Sequence, residues 1–239
     1  MMEVCGGTDK GLMRAKNEDN YLVQTDPLPL LAVADGMGGH QAGDVASETV
    51  IETINNFDLS VCEISPDHMK NLVERTNREV LKKGEENPQY SGMGTTLSCA
   101  AISEGKLYYG HVGDSRIYLY RDQELTRISS DHSLVAEMVE QGKISQKEAF
   151  QHPQSNVLTQ AIGLGKNLDI DRGSVSLRKN DIILLCTDGL TDMVGEEDIA
   201  DIILQAEEET SEKICDRLIQ SALEAGGKDN ITVIAAQIF

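Results

Sequence analysis

The stretch Leu30-Leu31-Ala32-Val33-Ala34-Asp35-Gly36-Met37-Gly38-Gly39-His40 decides how the rest of the chain is read. Its apolar run is long enough for a buried strand and too short for a buried helix. The run ends on an acid, so Asp35 is expected at a strand end, fixed by a sheet. Gly36, Gly38 and Gly39 let the backbone turn sharply and let a ligand approach closely. Gln41-Ala42-Gly43-Asp44-Val45 then leads into a helix. An acid on a strand end, with exposed carbonyls beside it, suits a hard cation. Taken alone, the stretch is equally well a strand–turn–helix connection with a solvated acid.

Working outward, Tyr21-Leu22-Val23-Gln24-Thr25 reads as a strand and Asp26-Pro27-Leu28-Pro29 as a turn. Together with the opening run they predict a hairpin. Antiparallel pairing would set Asp19 and Asp35 at one sheet edge. Ahead of the hairpin, residues 4–19 are Gly-rich and then charged. Behind it, the spacing predicts a helix over 45–55 and a second from Ser65, a candidate N-cap followed by Pro66. Strands over 95–102, 106–112, 116–121 and 124–128 read as an antiparallel meander. It is interrupted at Val112-Gly113-Asp114-Ser115-Arg116.

Residues 131–153 are amphipathic and interposed between strands. Gln141-Gly142 stops a first helix, and Ser145-Gln146-Lys147-Glu148 has the pattern of a capping box. The segment is either a mobile flap over the acidic edge or a structural excursion. Ile182-Ile183-Leu184-Leu185-Cys186-Thr187-Asp188-Gly189 then repeats the opening pattern. Two acidic helical segments follow over 196–205 and 211–225. Gly226-Gly227-Lys228-Asp229-Asn230 leads into the last strand, over 231–236. With no repeat, linker or composition break, residues 1–239 read as a single domain.

Composition narrows the classes of partner. Formal net charge is −19, with no Lys/Arg cluster to interrupt it, so nucleic acid and anionic membrane are poor candidates and neither is expected as a partner. The same field repels a phosphorylated substrate unless cations reverse it locally. Cys5, Cys62, Cys99, Cys186 and Cys215 are scattered and form no CxxC pair, so they read as core thiols in a reducing compartment. The N-terminal residues lack signal-peptide character, and no apolar run reaches membrane-spanning length. The expected localisation is cytoplasmic.

Asp35, Asp114, Asp188 and Asp229 share one grammar: a strand end with a glycine within two residues. Asp19 opens a strand in like fashion. One such acid is ordinarily a turn residue. Several on one edge repel each other and resist ionising together, a penalty that divalent cations remove. Oxygen donors without Cys or His clusters select magnesium or manganese over zinc. No GxSxG, GxxxxGK[ST] or HExxH motif occurs, and Gly163-Leu164-Gly165 lacks the third glycine of a dinucleotide loop.

Set in order, Arg14…Asn17-Glu18-Asp19, Asp35-Gly36-Met37-Gly38-Gly39-His40, Gly94-Thr95-Thr96, Gly113-Asp114-Ser115-Arg116, Ser130-Asp131-His132-Ser133, Asn156 to Gly163, Thr187-Asp188-Gly189-Leu190 and Lys228-Asp229-Asn230-Ile231-Thr232 span nearly the whole chain. In this arrangement the sequence resembles the PPM (2C-type) metal-dependent Ser/Thr protein phosphatases in their compact bacterial form. The resemblance implies an α+β fold, a four-layer α-β-β-α sandwich of two mainly antiparallel sheets flanked by helices. It implies two Mn2+ or Mg2+ ions, with a third bound more loosely. On that pattern Asp35 bridges the pair, Asp188 and Asp229 hold the first ion, and the Gly36 carbonyl binds the second. Glu18 and Asp19 support it directly or through water, and Asp114 with Asp188 supplies the third. Arg14 matches the position that grips the substrate phosphate. A hydroxide between the two ions would attack phosphorus directly. Asn17, Thr95, Thr96 and Asn230 are expected to orient the acids, and Ser115 and Arg116 to fix the turn at Asp114.

One departure concerns the proton for the leaving alkoxide. Many eukaryotic relatives place His directly after the Asp-Gly, where this chain has Met37. His40 or a metal-bound water could supply the proton instead, although a supporting or simply structural His40 is the favoured reading. The expected partners are phosphorylated proteins and a cognate Ser/Thr kinase, with the chain acting as a monomer. Alternative readings are a same-fold hydrolase for phosphotyrosine, phosphoarginine or a small phosphoester, a regulator without turnover, and a metal-stabilised structural module.

Overall fold

The apolar run at residues 30–34 is a strand buried on both faces, and its alternation sorts the core into layers. Leu30, Ala32 and Ala34 face one apolar cluster, while Leu31 and Val33 face another. Period-two geometry requires this, because successive side chains leave a strand on opposite sides. Each fully buried leucine stabilises the fold by roughly 1.5–3 kcal/mol relative to exposure.

The computed structural model describes residues 2–37, 42–57, 64–150, 152–206 and 209–239. His40, with Gly38, Gly39 and Gln41, lies outside the described residues, as does Cys62. In chain order the elements are β1 (Met2–Asp9), β2 (Asn20–Gln24), β3 (Leu30–Ala34), β4 (Gly36–Met37), α1 (Gly43–Asn55), α2 (Pro66–Glu86), β5 (Gly94–Thr95), β6 (Leu97–Ser103), β7 (Lys106–Val112), β8 (Arg116–Arg121), β9 (Glu124–Arg127), α3 (Leu134–Glu140), α4 (Gln146–Phe150), β10 (Asp171–Ser176), β11 (Ile182–Cys186), α5 (Asp188–Thr191), α6 (Glu196–Ala206), α7 (Ser211–Glu224) and β12 (Ile231–Ile238). One sheet has the order β1-β12-β11-β8-β9 and the other β10-β7-β6-β3-β2. All their pairings are antiparallel. The short β4 and β5 pair with each other.

Three apolar clusters separate four layers. Leu31, Val33, Ile117, Ile183, Leu185 and Ile234 meet between the sheets. Residues of α1 and α2 cover the β3-containing sheet, including Val50, Ile54, Met69 and Leu72. Ile199 and Ile203 of α6, with Ile214 and Leu218 of α7, cover the other. The fold is therefore an α-β-β-α sandwich. Helix α2 starts as its sequence predicts: Ser65 Oγ accepts the His68 N–H, and Pro66 follows.

The strands over 95–128 do not form a continuous meander. β6 and β7 belong to one sheet, whereas β8 and β9 belong to the other. The chain changes sheets at Gly113, whose φ of +113° suits glycine. A Cβ there would lie 2.7 Å from the Thr96 side chain. Spacing alone cannot distinguish the two arrangements, since a hairpin loop and a sheet-switching loop are equally short.

Two strands arise where the sequence shows little strand character. β1 runs through Gly6 and Gly7 and pairs with β12 over its whole length. Its glycines answer crowding rather than a turn: a Cβ on Gly6 would lie 2.6 Å from the Tyr21 ring, and one on Gly7 would lie 2.8 Å from Ile219. β10 forms the edge beside β7.

Candidate functional site

Register brings the acids together. β2 and β3 pair with Asn20 opposite Ala34, so Asp19 and Asp35 leave the same end of their sheet. β11 and β12 pair with Cys186 opposite Val233, and Thr187 N–H donates to the Thr232 carbonyl at 3.0 Å. Asp188 and Asp229 therefore flank one end of the facing sheet. Asp114 lies on the crossing between Val112 and Arg116.

The backbone around Asp35 is fixed on both sides. Its N–H donates to Thr96 Oγ1 at 3.0 Å. Its carbonyl accepts from Thr96 N–H at 2.9 Å and from Thr95 Oγ1 at 2.7 Å. Thr96 Oγ1 also lies 2.7 Å from Ser115 Oγ, which links this strand end to the turn holding Asp114. Gly36 has no room for a side chain: a Cβ would lie 2.3 Å from the Gly43 carbonyl oxygen and 2.5 Å from that of Glu18. A Cβ on Gly43 would meet the Gly36 carbonyl oxygen at 2.8 Å and the Glu18 carboxyl carbon at 3.0 Å. The Gly36 carbonyl and the Glu18 carboxylate thus border the same small space.

Asn230 closes the loop that carries Arg14. Its Nδ2 donates to the carbonyls of Lys10 at 2.9 Å and Lys16 at 3.0 Å, while its Oδ1 accepts Glu18 N–H at 2.8 Å. Asn17 Oδ1 accepts Asp19 N–H at 3.2 Å. Arg14 reaches across to Asp229, with Nη2 2.5 Å from Oδ2. That hydrogen bond is the leading reason the guanidinium is held above its ordinary pKa.

The electrostatics are those of crowded carboxylates. Burial pushes the Asp35 carboxyl well up, reinforced by Asp188, Asp19 and Asp114. Burial does the same to Asp188, followed by Asp114, Asp192 and Asp229. Asp114 is pushed up to about 7 by burial and then by Asp131. Asp19 is pushed up to about 6 by burial, although its Oδ2 accepts from Thr187 Oγ1 at 2.9 Å and Thr232 Oγ1 at 2.6 Å. Glu18 is raised by burial and then by Asp44.

These donors suit a hard divalent cation. The set is all oxygen, and Asp19 Oδ1, Asp44 Oδ1 and Asp188 Oδ1 are buried without a hydrogen-bond partner among the described residues. A buried, unpartnered carboxylate oxygen is costly unless something charged answers it. The set is not closed, however. Among the described residues no group of three His, Cys, Asp or Glu side chains is drawn together tightly enough to hold an ion.

A cleft of about 1720 Å³ opens beside Asp114 and Asp188. Its far wall comes from α3, α4 and their flanking turns, including Ser133, Glu137, Glu140 and Ala149. Ser133 caps α3, and Ser145 with Glu148 forms the capping box expected of α4: Ser145 N–H donates to Glu148 Oε2 at 2.8 Å, and Glu148 N–H to Ser145 Oγ at 3.3 Å.

Two details go beyond the sequence reading. Ser115 does brace the turn, but Arg116 reaches past it to Asp131, with Nη2 2.8 Å from Oδ2. Asp192, absent from the sequence-based candidates, lies near Asp188 and Asp114 and has its carboxyl raised by burial. Its signal was the four-residue spacing from Asp188, one helical turn. Cys186 is fully buried, its thiol pushed up to about 12 by that burial, so it is an inert core group.

The family model for protein phosphatase 2C matches residues 13–225. The serine/threonine phosphatase stp of Listeria monocytogenes is 38% identical over 237 residues, spanning 96% of this chain and 93% of its own length. The crystal structure of the serine/threonine phosphatase Stp1 from Staphylococcus aureus superposes with a TM-score of 0.91 at 36% identity, covering 100% of this chain and 96% of that one. The catalytic domain of the serine/threonine protein phosphatase PstP, solved in complex with 2 manganese ions, gives a TM-score of 0.87 at 35% identity, covering 99% and 97%.

Proposed function

The chain belongs to the protein phosphatase 2C family, and on that premise we propose that it is a divalent-metal-dependent phosphatase for phosphoserine and phosphothreonine in proteins. The observation that carries the reading is the meeting of Asp35 with Asp188, strand-end acids from opposite sheets whose carboxyls press on each other in a buried space. Such an arrangement is unfavourable in itself and becomes favourable with cations present.

Asp35, Asp188 and Asp229 would hold one manganese or magnesium ion, and Asp35 with the Gly36 carbonyl a second. Glu18 and Asp19 would assist directly or through water, and Asp114 with Asp188 would supply a weaker third position. When bound, the ions supply positive charge and acidify the attacking water. The chain's own residues do the rest. Thr95 and Thr96 fix the Asp35 main chain and so hold the position from which its carboxylate would reach the ions. Asn230 pins the loop that presents Arg14. The guanidinium, released from Asp229, is suited to grip phosphoryl oxygens in bidentate fashion and to offset charge developing on them. His40 or water would protonate the leaving alkoxide.

The segment over 131–153 would act as a flap along the cleft of a single domain. The substrate class implies an opposing Ser/Thr kinase, and we place the enzyme in the cytoplasm as a monomer. Among the described residues no helix is long and apolar enough to cross a membrane.

The test compares phosphothreonine, phosphotyrosine and phosphoarginine peptides of one sequence with manganese, with and without a chelator. Fast phosphate release confined to phosphothreonine and abolished by chelation is expected. Preference for either other peptide, or turnover indifferent to chelation, contradicts the reading.

A further inference from the structure

The chain carries 21 Lys and Arg against 40 Asp and Glu, yet residues 10–16, Lys-Gly-Leu-Met-Arg-Ala-Lys, hold three cations and no acid. The fold adds a fourth. Leu12 N–H donates to the Gly227 carbonyl at 2.7 Å, and a Cβ on Gly11 would lie 2.1 Å from the Asp229 carbonyl oxygen. Lys10 immediately precedes Gly11 and Lys228 lies between Gly227 and Asp229, so this contact brings the two lysines' backbones together. The sequence reading that no basic cluster interrupts the negative charge thus fails at one place, the rim beside Arg14.

The four cations are not equivalent. Arg14 pairs with Asp229 and Lys16 with Asp44. Asp9, the nearest acid before the loop, has its Oδ1 engaged by Gly11 N–H at 2.7 Å. Lys10 and Lys228 are exposed and make no ion pair among the described residues. The cleft beside Asp114 and Asp188 has the other sign on balance: Glu137, Glu140, Asp169, Glu197 and Asp198 are among the acids that line it, and they outnumber Arg116, Arg127, Lys147 and Arg172. The field across the site is therefore polarised. A peptide chain bearing carboxylates beside its phosphate is repelled by the cleft wall and attracted to the rim.

We propose that Lys10 and Lys228 form a docking rim for acidic side chains that flank the phosphorylated residue, making the enzyme selective for acidic phosphopeptides. This deepens the phosphatase reading and rests on it. The rim sets specificity and touches no reacting atom.

The experiment uses the full chain with manganese and the double variant Lys10→Glu/Lys228→Glu. Three substrates are compared at low salt: p-nitrophenyl phosphate, a phosphothreonine peptide with neutral flanks, and one with aspartates on both sides. Binding of a fluorescent, unphosphorylated aspartate-flanked peptide is read by anisotropy in parallel, so the rim is tested even without turnover. The variant is expected to lose about tenfold in kcat/KM on the acidic peptide, chiefly through KM, and to weaken its binding similarly. p-Nitrophenyl phosphate turnover should be unchanged. Equal losses on neutral and acidic peptides, or unchanged affinity for the acidic peptide, would overturn the proposal. Absent turnover of all three substrates by the wild type would count against the phosphatase reading alone, and the anisotropy result would still decide the rim.

Discussion

Arg14 Nη2 lies 2.5 Å from Asp229 Oδ2, so the proposed phosphate-binding group and a proposed metal ligand neutralise each other. A cation held by Asp229 would take over that role and leave the guanidinium free for substrate. The pair is partly exposed, with side-chain accessibilities of 53% and 32%, so the contact itself is worth only about 0–1 kcal/mol.

Arg14→Ala should therefore separate metal from substrate. Manganese affinity, measured by calorimetry, is expected to hold or tighten by up to about fivefold, the equivalent of that pair's free energy. Phosphopeptide kcat/KM should fall by roughly 10–100-fold, the cost of a charged hydrogen-bonding partner. Manganese binding that weakens on removing Arg14 would contradict the exchange.

Manganese should raise the melting temperature, because it binds the folded site and relieves repulsion among buried carboxylates. The shift should exceed that of a variant lacking one acid, Asp188→Asn, by several degrees in differential scanning fluorimetry. Equal shifts in both proteins would place the metal elsewhere.

Backbone crowding at Gly189 predicts a structural lesion with a functional readout. A Cβ there would lie 1.9 Å from the Asn230 carbonyl oxygen, a contact that only backbone movement relieves. Gly189→Ala should cost about 2 kcal/mol or more and separate Asp188 from Asp229. Urea unfolding and manganese titration of the variant check both effects. A stable variant with normal manganese affinity would show that the two acids need no such close approach.

His111 gives the pH dependence. It is fully buried, with Nδ1 2.8 Å from Ser98 Oγ and Nε2 3.0 Å from the Gly113 carbonyl oxygen. Burial lowers its pKa to about 3. A histidine depressed on folding contributes stability that is complete above its unfolded pKa and lost as pH falls toward the folded one. The loss runs from about pH 6.5 downward at about 1.4 kcal/mol per unit. His111→Gln should flatten that slope between pH 6.5 and 4.5 in denaturant titrations. An identical slope would assign acid sensitivity to other groups.

Much of this was legible in the sequence because the site is built from strand ends. β3 and β11 announce themselves as apolar runs that stop at an acid, and the acids follow from the stops. β1 was not legible because Gly6 and Gly7 hide the strand period, and their reason lies in the Tyr21 and Ile219 side chains that occupy their Cβ positions. The change of sheet at Gly113 was not legible either, since pairing partners such as Cys186 opposite Arg116 come from distant parts of the chain. Asp192 was within reach of helical spacing. The pairing of Arg14 with Asp229 was beyond it, because it joins residues 215 apart.

The central claim is that Asp35 and Asp188, from opposite sheets, jointly hold divalent cations. Calorimetric titration of manganese into the wild type and into Asp35→Asn tests it most directly, with circular dichroism confirming that the variant is folded. The account predicts at least two manganese ions bound by the wild type and loss of the tight sites in the variant. An unchanged isotherm in folded Asp35→Asn would contradict it.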